Sequence, residues 1–124
     1  MSACWTRTVL LVDDSAVARR AVTKRLESEG FRVEEESSLA AAKTADVRGL
    51  TCAILDVELA DGTGIDLAAV MRGKLGSLPI AFFTAGAAPA LLERAHSLGP
   101  VFRKPHLDEL VAWAKRAGQP PPTK

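Results

Sequence analysis

Four times along this chain of 124 residues an apolar run stops at a polar residue. Val9-Leu10-Leu11-Val12 stops at Asp13-Asp14, Ala53-Ile54-Leu55 at Asp56, Ile80-Ala81-Phe82-Phe83 at Thr84, and Val101-Phe102 at Arg103-Lys104-Pro105. Runs that are apolar throughout and bounded by turn-like residues read as strands of a parallel sheet buried on both faces. In an open α/β sheet, ligands bind in the crevice beyond the carboxyl ends of the strands. Three carboxylates, a hydroxyl and an ammonium are therefore expected to converge on one small site. Such a set suits phosphoryl groups and a hard divalent cation.

Between the runs, apolar residues recur at helical spacing. Ser15 caps a helix predicted to reach about Glu29, with Val17, Ala18, Ala21, Val22 and Leu26 on its apolar side, and Gly30 stops it. Phe31-Arg32-Val33 begins a short strand whose alternating charges suit a sheet edge. Ser37 or Ser38 opens an alanine-rich helix to about Val47, and a strand runs from Thr51 to Leu55. The stretch Asp56 to Gly64 reads as a loop. The third helix carries Ile65, Leu67, Ala68, Val70 and Met71 and ends before Gly76. A short fourth helix starts near Pro89 with Leu91, Leu92, Ala95 and Leu98 inward. A brief strand covers Pro100 to Arg103. The last helix runs from about Leu107 to Ala117, with Leu110, Val111 and Ala114 inward and Trp113 partly so.

This alternation predicts an α/β fold, a single (βα)5 unit with helices on both faces of a doubly wound parallel sheet. The flavodoxin-like strand order 2-1-3-4-5 is the leading topology. It sets the first and third strands side by side and makes Asp13, Asp14 and Asp56 neighbours. The expected division is an N-terminal extension over residues 1–6, one domain over 7–117 and a Pro-rich tail over 118–124. Met1 suggests a natural start, and with no further domain after the last helix the chain is expected to stand alone.

Bulk properties remove several classes. Lys plus Arg number 16 against 15 for Asp plus Glu, so no basic field points to nucleic acid. Aromatic residues make up 5% and Tyr is absent, which disfavours a base-stacking platform. The only cysteines are Cys4, in the N-terminal extension, and Cys52, inside an apolar run; they are too few for a disulfide scaffold or a four-cysteine zinc site. No signal peptide and no membrane span is visible, so a cytoplasmic location is expected.

Taken singly, the polar residues have ordinary explanations. Asp13-Asp14 can be acids at a helix N-terminus, Asp56 a turn residue, Thr84 a cap and Lys104 a solvated charge. Adjacency changes the weighing. Three carboxylates together repel unless compensated, and Mg²⁺ accepts one or two carboxylates while also binding phosphate oxygens. An aspartate can attack phosphorus to form an acyl phosphate. The Thr84 hydroxyl can donate to a phosphoryl oxygen, and the Lys104 stem lets its ammonium reach Asp56.

Leu11-Val12-Asp13-Asp14-Ser15, Asp56, Gly64, Phe82-Phe83-Thr84-Ala85 and Phe102-Arg103-Lys104-Pro105, in this order, resemble the receiver (response-regulator) domains of two-component phosphorelay signalling. The resemblance covers about residues 7–117. It implies that Asp56 accepts a phosphoryl group from the phosphohistidine of a histidine kinase or phosphotransfer protein. Asp13, Asp14 and Asp56 are then the Mg²⁺ acids, with the Glu58 backbone carbonyl as a further ligand. Thr84 and Lys104 bind the phosphoryl group, and Thr84 with Phe102 forms the switch. The resemblance implies a signalling switch that loses its phosphate slowly, and not a turnover enzyme. Its downstream partner is a protein, without direct contact to nucleic acid or membrane.

Several positions depart from the pattern. Ala60 replaces a usual proline, which predicts a looser loop after Asp56, and the Thr84–Lys104 stretch is slightly short. Glu58 adds charge beside the site and is expected to alter the hydrolysis rate. The kinase-facing surface is expected on the first helix, at Ala16, Arg19, Arg20 and Thr23. The alternatives are a pseudo-receiver that binds partners without phosphorylation, an aspartate-nucleophile phosphatase, and a flavin carrier. The last lacks a phosphate loop after the first strand, and no cap domain is present to serve a phosphatase.

Overall fold

A computed structural model of the protein describes residues 7–117. The elements, in chain order, are β1 (Thr8–Val12), α1 (Ala16–Ser28), β2 (Arg32–Glu36), α2 (Leu39–Lys43), β3 (Cys52–Leu55), β4 (Glu58–Leu59), β5 (Gly62–Thr63), α3 (Gly64–Lys74), β6 (Ile80–Thr84), α4 (Pro89–Leu98), β7 (Val101–Arg103) and α5 (Leu107–Ala117). The extension over residues 1–6, with Cys4, and the tail over 118–124 lie outside the described residues.

Five strands form one parallel sheet in the order β2-β1-β3-β6-β7. This is the expected 2-1-3-4-5 order, because β6 and β7 are the fourth and fifth strands of the main sheet. The numbering shifts because the stretch after Asp56, expected as a loop, contains the antiparallel hairpin β4–β5. Alternation along each strand divides the core. Leu10, Val12, Ala53, Leu55 and Phe82 face α2, α3 and α4, whereas Val9, Leu11, Ile54, Ala81 and Phe83 face α1 and α5. Cys52 joins the second layer, where burial pushes its thiol up to about 12 and makes it an inert hydrophobe.

The differences from expectation are local. Helix α2 stops at Lys43, not near Val47. The Thr44 hydroxyl donates to the Ala41 carbonyl, and Asp46 takes the Arg48 amide and guanidinium into a turn that competes with the helix. Strand β2 extends through Glu36 because it pairs along the whole of β1, and as the edge strand of the sheet it leaves Glu34 and Glu35 exposed. Helix α4, by contrast, starts at Pro89 and ends at Leu98 as expected, and its ten residues are one fewer than the eleven of α3. On α1 only Val22 and Leu26 are fully buried, while Val17 is 82% exposed. Its position on the helix turns it away from the sheet, toward the rim of the site.

Candidate functional site

The first loop of the site grows out of the sheet ladder. Beyond Val12, the Asp13 amide still donates to the Glu36 carbonyl (3.1 Å), so the chain remains straight for one residue more. It then turns, with the Ser15 amide donating to Asp13 Oδ1 (2.9 Å) and Ser15 Oγ accepting from the Ala18 amide (3.2 Å) to start α1. Asp56 is placed in the same way, its amide donating to the Val12 carbonyl (2.9 Å) across the β1–β3 pair. Glycine is required at position 64, where a Cβ would overlap the Asp56 carbonyl oxygen as α3 leaves the sheet.

Asp13, Asp14 and Asp56 each offer a carboxylate oxygen, and these atoms lie within 4.8 Å of one another. Asp13 and Asp56 are buried and Asp14 is exposed, so the trio forms a pocket with one wet side. Among the described residues it is the one group of three or more side chains arranged to hold a metal ion. Its all-oxygen donor set fits a hard cation such as Mg²⁺. The Lys104 ammonium enters from the end of β7, 2.7 Å from Asp13 Oδ2 and 3.1 Å from Asp56 Oδ2. Burial opposes its charge, yet the hydrogen bonds with the two carboxylates outweigh that and raise its pKa. For Asp56 burial prevails: its carboxyl is raised above the ordinary aspartate value although Lys104 pulls it down. One ammonium among three carboxylates leaves the pocket an attractor for cations.

Thr84 is buried at the end of β6. Its Oγ1 donates to the Gly86 carbonyl (3.2 Å) and accepts from the Gly86 amide (3.3 Å). The hydroxyl therefore holds the segment that leads to α4, a helix whose start has no side-chain cap. Phe102 lies opposite Phe83 in the register of the sheet edge and packs, half-buried, on the α1–α5 core layer. The Glu58 amide donates to Asp56 Oδ1 (3.3 Å), which keeps the Glu58 main chain beside the carboxylate while its side chain is exposed.

All the expected positions thus meet at one end of the sheet, apart from Phe102, which stands behind it on β7. Two supporting residues were not singled out for this in the sequence. Arg19, expected on a partner-facing surface, donates from Nη1 to the Asp13 carbonyl (2.6 Å) and pairs through Nε with Glu35 (3.2 Å). Thr23 holds the other Glu35 oxygen (2.8 Å). Asp61 binds backbone of α2. A basic residue one turn into α1 and an acidic edge strand were the available signals for the first, and the Asp61-Gly62 turn pair for the second.

Residues 9–112 match the response regulator receiver domain family. The photosynthetic apparatus regulatory protein RegA of Cereibacter sphaeroides is 33% identical over 94 residues, which cover 75% of this chain and 51% of that protein. The chain spans about half the length of the curated RegA proteins it matches. Among solved structures, the non-phosphorylated receiver domain of HemR from Leptospira biflexa superposes with a TM-score of 0.81 at 29% identity, covering 96% of this chain and 99% of that one. TrrA from Thermotoga maritima, solved in complex with Mg²⁺-BeF, has the same fold at 23% identity and a TM-score of 0.77, covering 90% of this chain and 99% of that one.

Proposed function

The chain belongs to the response regulator receiver domain family, and on that premise we propose that it is a phosphorylation-operated signalling switch whose acceptor is Asp56. The receiver unit in this reading runs over residues 7–117. The observation that carries it is the meeting of three carboxylates within 4.8 Å with an ammonium bonded to two of them. Asp13, Asp14, Asp56 and the Glu58 carbonyl would hold Mg²⁺. When bound, the ion supplies neutralisation of charge on the transferred phosphoryl group.

The residues of the chain do the rest. An Asp56 oxygen attacks the phosphorus of a partner's phosphohistidine; the P–N bond breaks, and the imidazole leaves and takes up a proton. Lys104, already beside Asp56, follows the new negative charge. Thr84 Oγ1 leaves Gly86 and donates to a phosphoryl oxygen, which frees the segment before α4 and alters the space beside Phe102. Hydrolysis of the acyl phosphate by water returns free phosphate and the Asp56 carboxylate. The donor is a histidine kinase or phosphotransfer protein, and the output is contact with another protein; a cytoplasmic location goes with both. Val17 supports a docking place for the donor. It stands exposed on an open apolar groove of about 500 Å³ that it lines with Ala18, Ala21, Ala85, Lys104 and Pro105.

Nuclear magnetic resonance with Mg²⁺ and beryllofluoride tests the switch. The expected result is a shift of the Thr84, Gly86 and Phe102 signals together with those of α4. Unchanged spectra with no Mg²⁺ binding refute it, and leave the pseudo-receiver reading in its place.

A further inference from the structure

We propose that Asp61 is a positioning residue for the metal loop: by clamping the tip of the β4–β5 hairpin to the start of α2, it fixes the Glu58 main chain, whose carbonyl would be one of the cation's ligands. The inference rests on the reading of Asp13, Asp14, Asp56 and Glu58 as the Mg²⁺ site.

Glu58 lies in a hairpin whose root is well anchored. The Gly64 amide donates to the Val57 carbonyl (2.8 Å), and Thr63 Oγ1 caps α3 through the Asp66 amide (3.1 Å). Two strand pairs, Glu58 with Thr63 and Leu59 with Gly62, carry the chain outward to the turn at Ala60-Asp61. A hairpin this short is marginal alone. At its tip the Asp61 carboxylate takes two backbone amides of α2, Oδ1 from Leu39 (2.9 Å) and Oδ2 from Ala40 (3.1 Å). Those two hydrogen bonds hold its carboxyl below the usual aspartate range. Gly62 lies against the Leu39 side chain, where a Cβ would overlap it, and Leu59 and Leu39 are buried in the same core layer. Glu58 is therefore held at both ends, by the root on β3 and α3 and by the tip on α2.

The start of α2 offers an internal control. Ser38 Oγ accepts the next amide, Ala41 (3.1 Å), and so supports the same helix by a hydrogen bond that does not involve the hairpin. Loss of Ser38 weakens α2 alone; loss of Asp61 weakens α2 and frees the hairpin.

Calorimetric titration with Mg²⁺ of the parent, Asp61→Ala, Asp61→Asn and Ser38→Ala separates these effects. Outer residues that orient metal ligands typically contribute about tenfold or more to affinity. Asp61→Ala is expected to bind Mg²⁺ about tenfold more weakly, Asp61→Asn less so because it keeps one acceptor oxygen, and Ser38→Ala as the parent does. Coupling is reciprocal, so Mg²⁺ should slow hydrogen exchange of the Leu39 and Ala40 amides in the parent and not in Asp61→Ala. Equal affinity in parent and Asp61→Ala overturns the inference, as does an equal loss in Ser38→Ala. If Asp61→Ala does not fold, Asp61→Asn carries the comparison under the same criteria. A parent that binds no Mg²⁺ is a separate outcome, which removes the proposed site and this inference with it.

Discussion

Burial raises the Asp56 carboxyl above its ordinary 3.8, and the Lys104 ammonium offsets this only in part. A carboxyl whose folded pKa exceeds its unfolded one contributes stability below the unfolded value and loses it as pH rises through the folded one. Ionised Asp56 therefore costs the fold stability at neutral pH. Asp56→Asn should melt above the parent at pH 7.5. The gap should close as the pH falls through the raised Asp56 pKa toward the unfolded value, where the parent is protonated too. An Asp56→Asn variant that melts lower at neutral pH would contradict this balance. The candidate site residues Asp13, Asp56, Thr84 and Lys104 were visible in the sequence because each lies where an apolar run ends, and strand ends meet in space whatever the details of the loops. The supporting contacts of Arg19 and Asp61 were not, because Arg19 pairs with the Glu35 side chain sixteen positions away and Asp61 binds the Leu39 backbone amide twenty-two positions away, and no local pattern announces such partners.

Helix α1 shows how far an apolar pattern can be trusted at the scale of an element. Its start at Ser15 and its stop before Gly30 follow from capping chemistry and hold in the structure. The face does not follow as simply, because Val17 and Ala21 fit the helical spacing yet stand in solvent, while Val22 and Leu26 are buried. Denaturant unfolding should separate them. Leu26→Ala is expected to cost about 2–5 kcal/mol as a buried large-to-small change, and Val17→Ser to stay within about 0.5 kcal/mol. Similar costs for both would mean that Val17 is covered by the fold and is not free to meet a partner. Helix α2 failed in the opposite sense. Its alanines favour helix throughout, but the turn closed by Asp46 and Arg48 competes for the same backbone and ends it at Lys43. The hairpin after Asp56 went unseen because each of its strands has only two residues, too few to show a period.

For the molecule as a whole, the parallel order β2-β1-β3-β6-β7 is what turns scattered acids into a site. It was legible because alternation of strand and helix leaves few right-handed ways to wind one sheet. Among the described residues no helix is long and apolar enough to cross a membrane. The same sheet links the pocket to the surface that would report it, since Thr84 closes β6 beside Lys104, and β7 carries Phe102 at the sheet edge. All of this depends on Asp56 taking a phosphoryl group. Intact-protein mass spectrometry after incubation with acetyl phosphate measures that directly. With Mg²⁺ present, the parent should gain the mass of one phosphoryl group, Asp56→Ala should gain none, and chelation of the metal should suppress the gain. No incorporation into the parent, or equal incorporation into Asp56→Ala, would contradict the account.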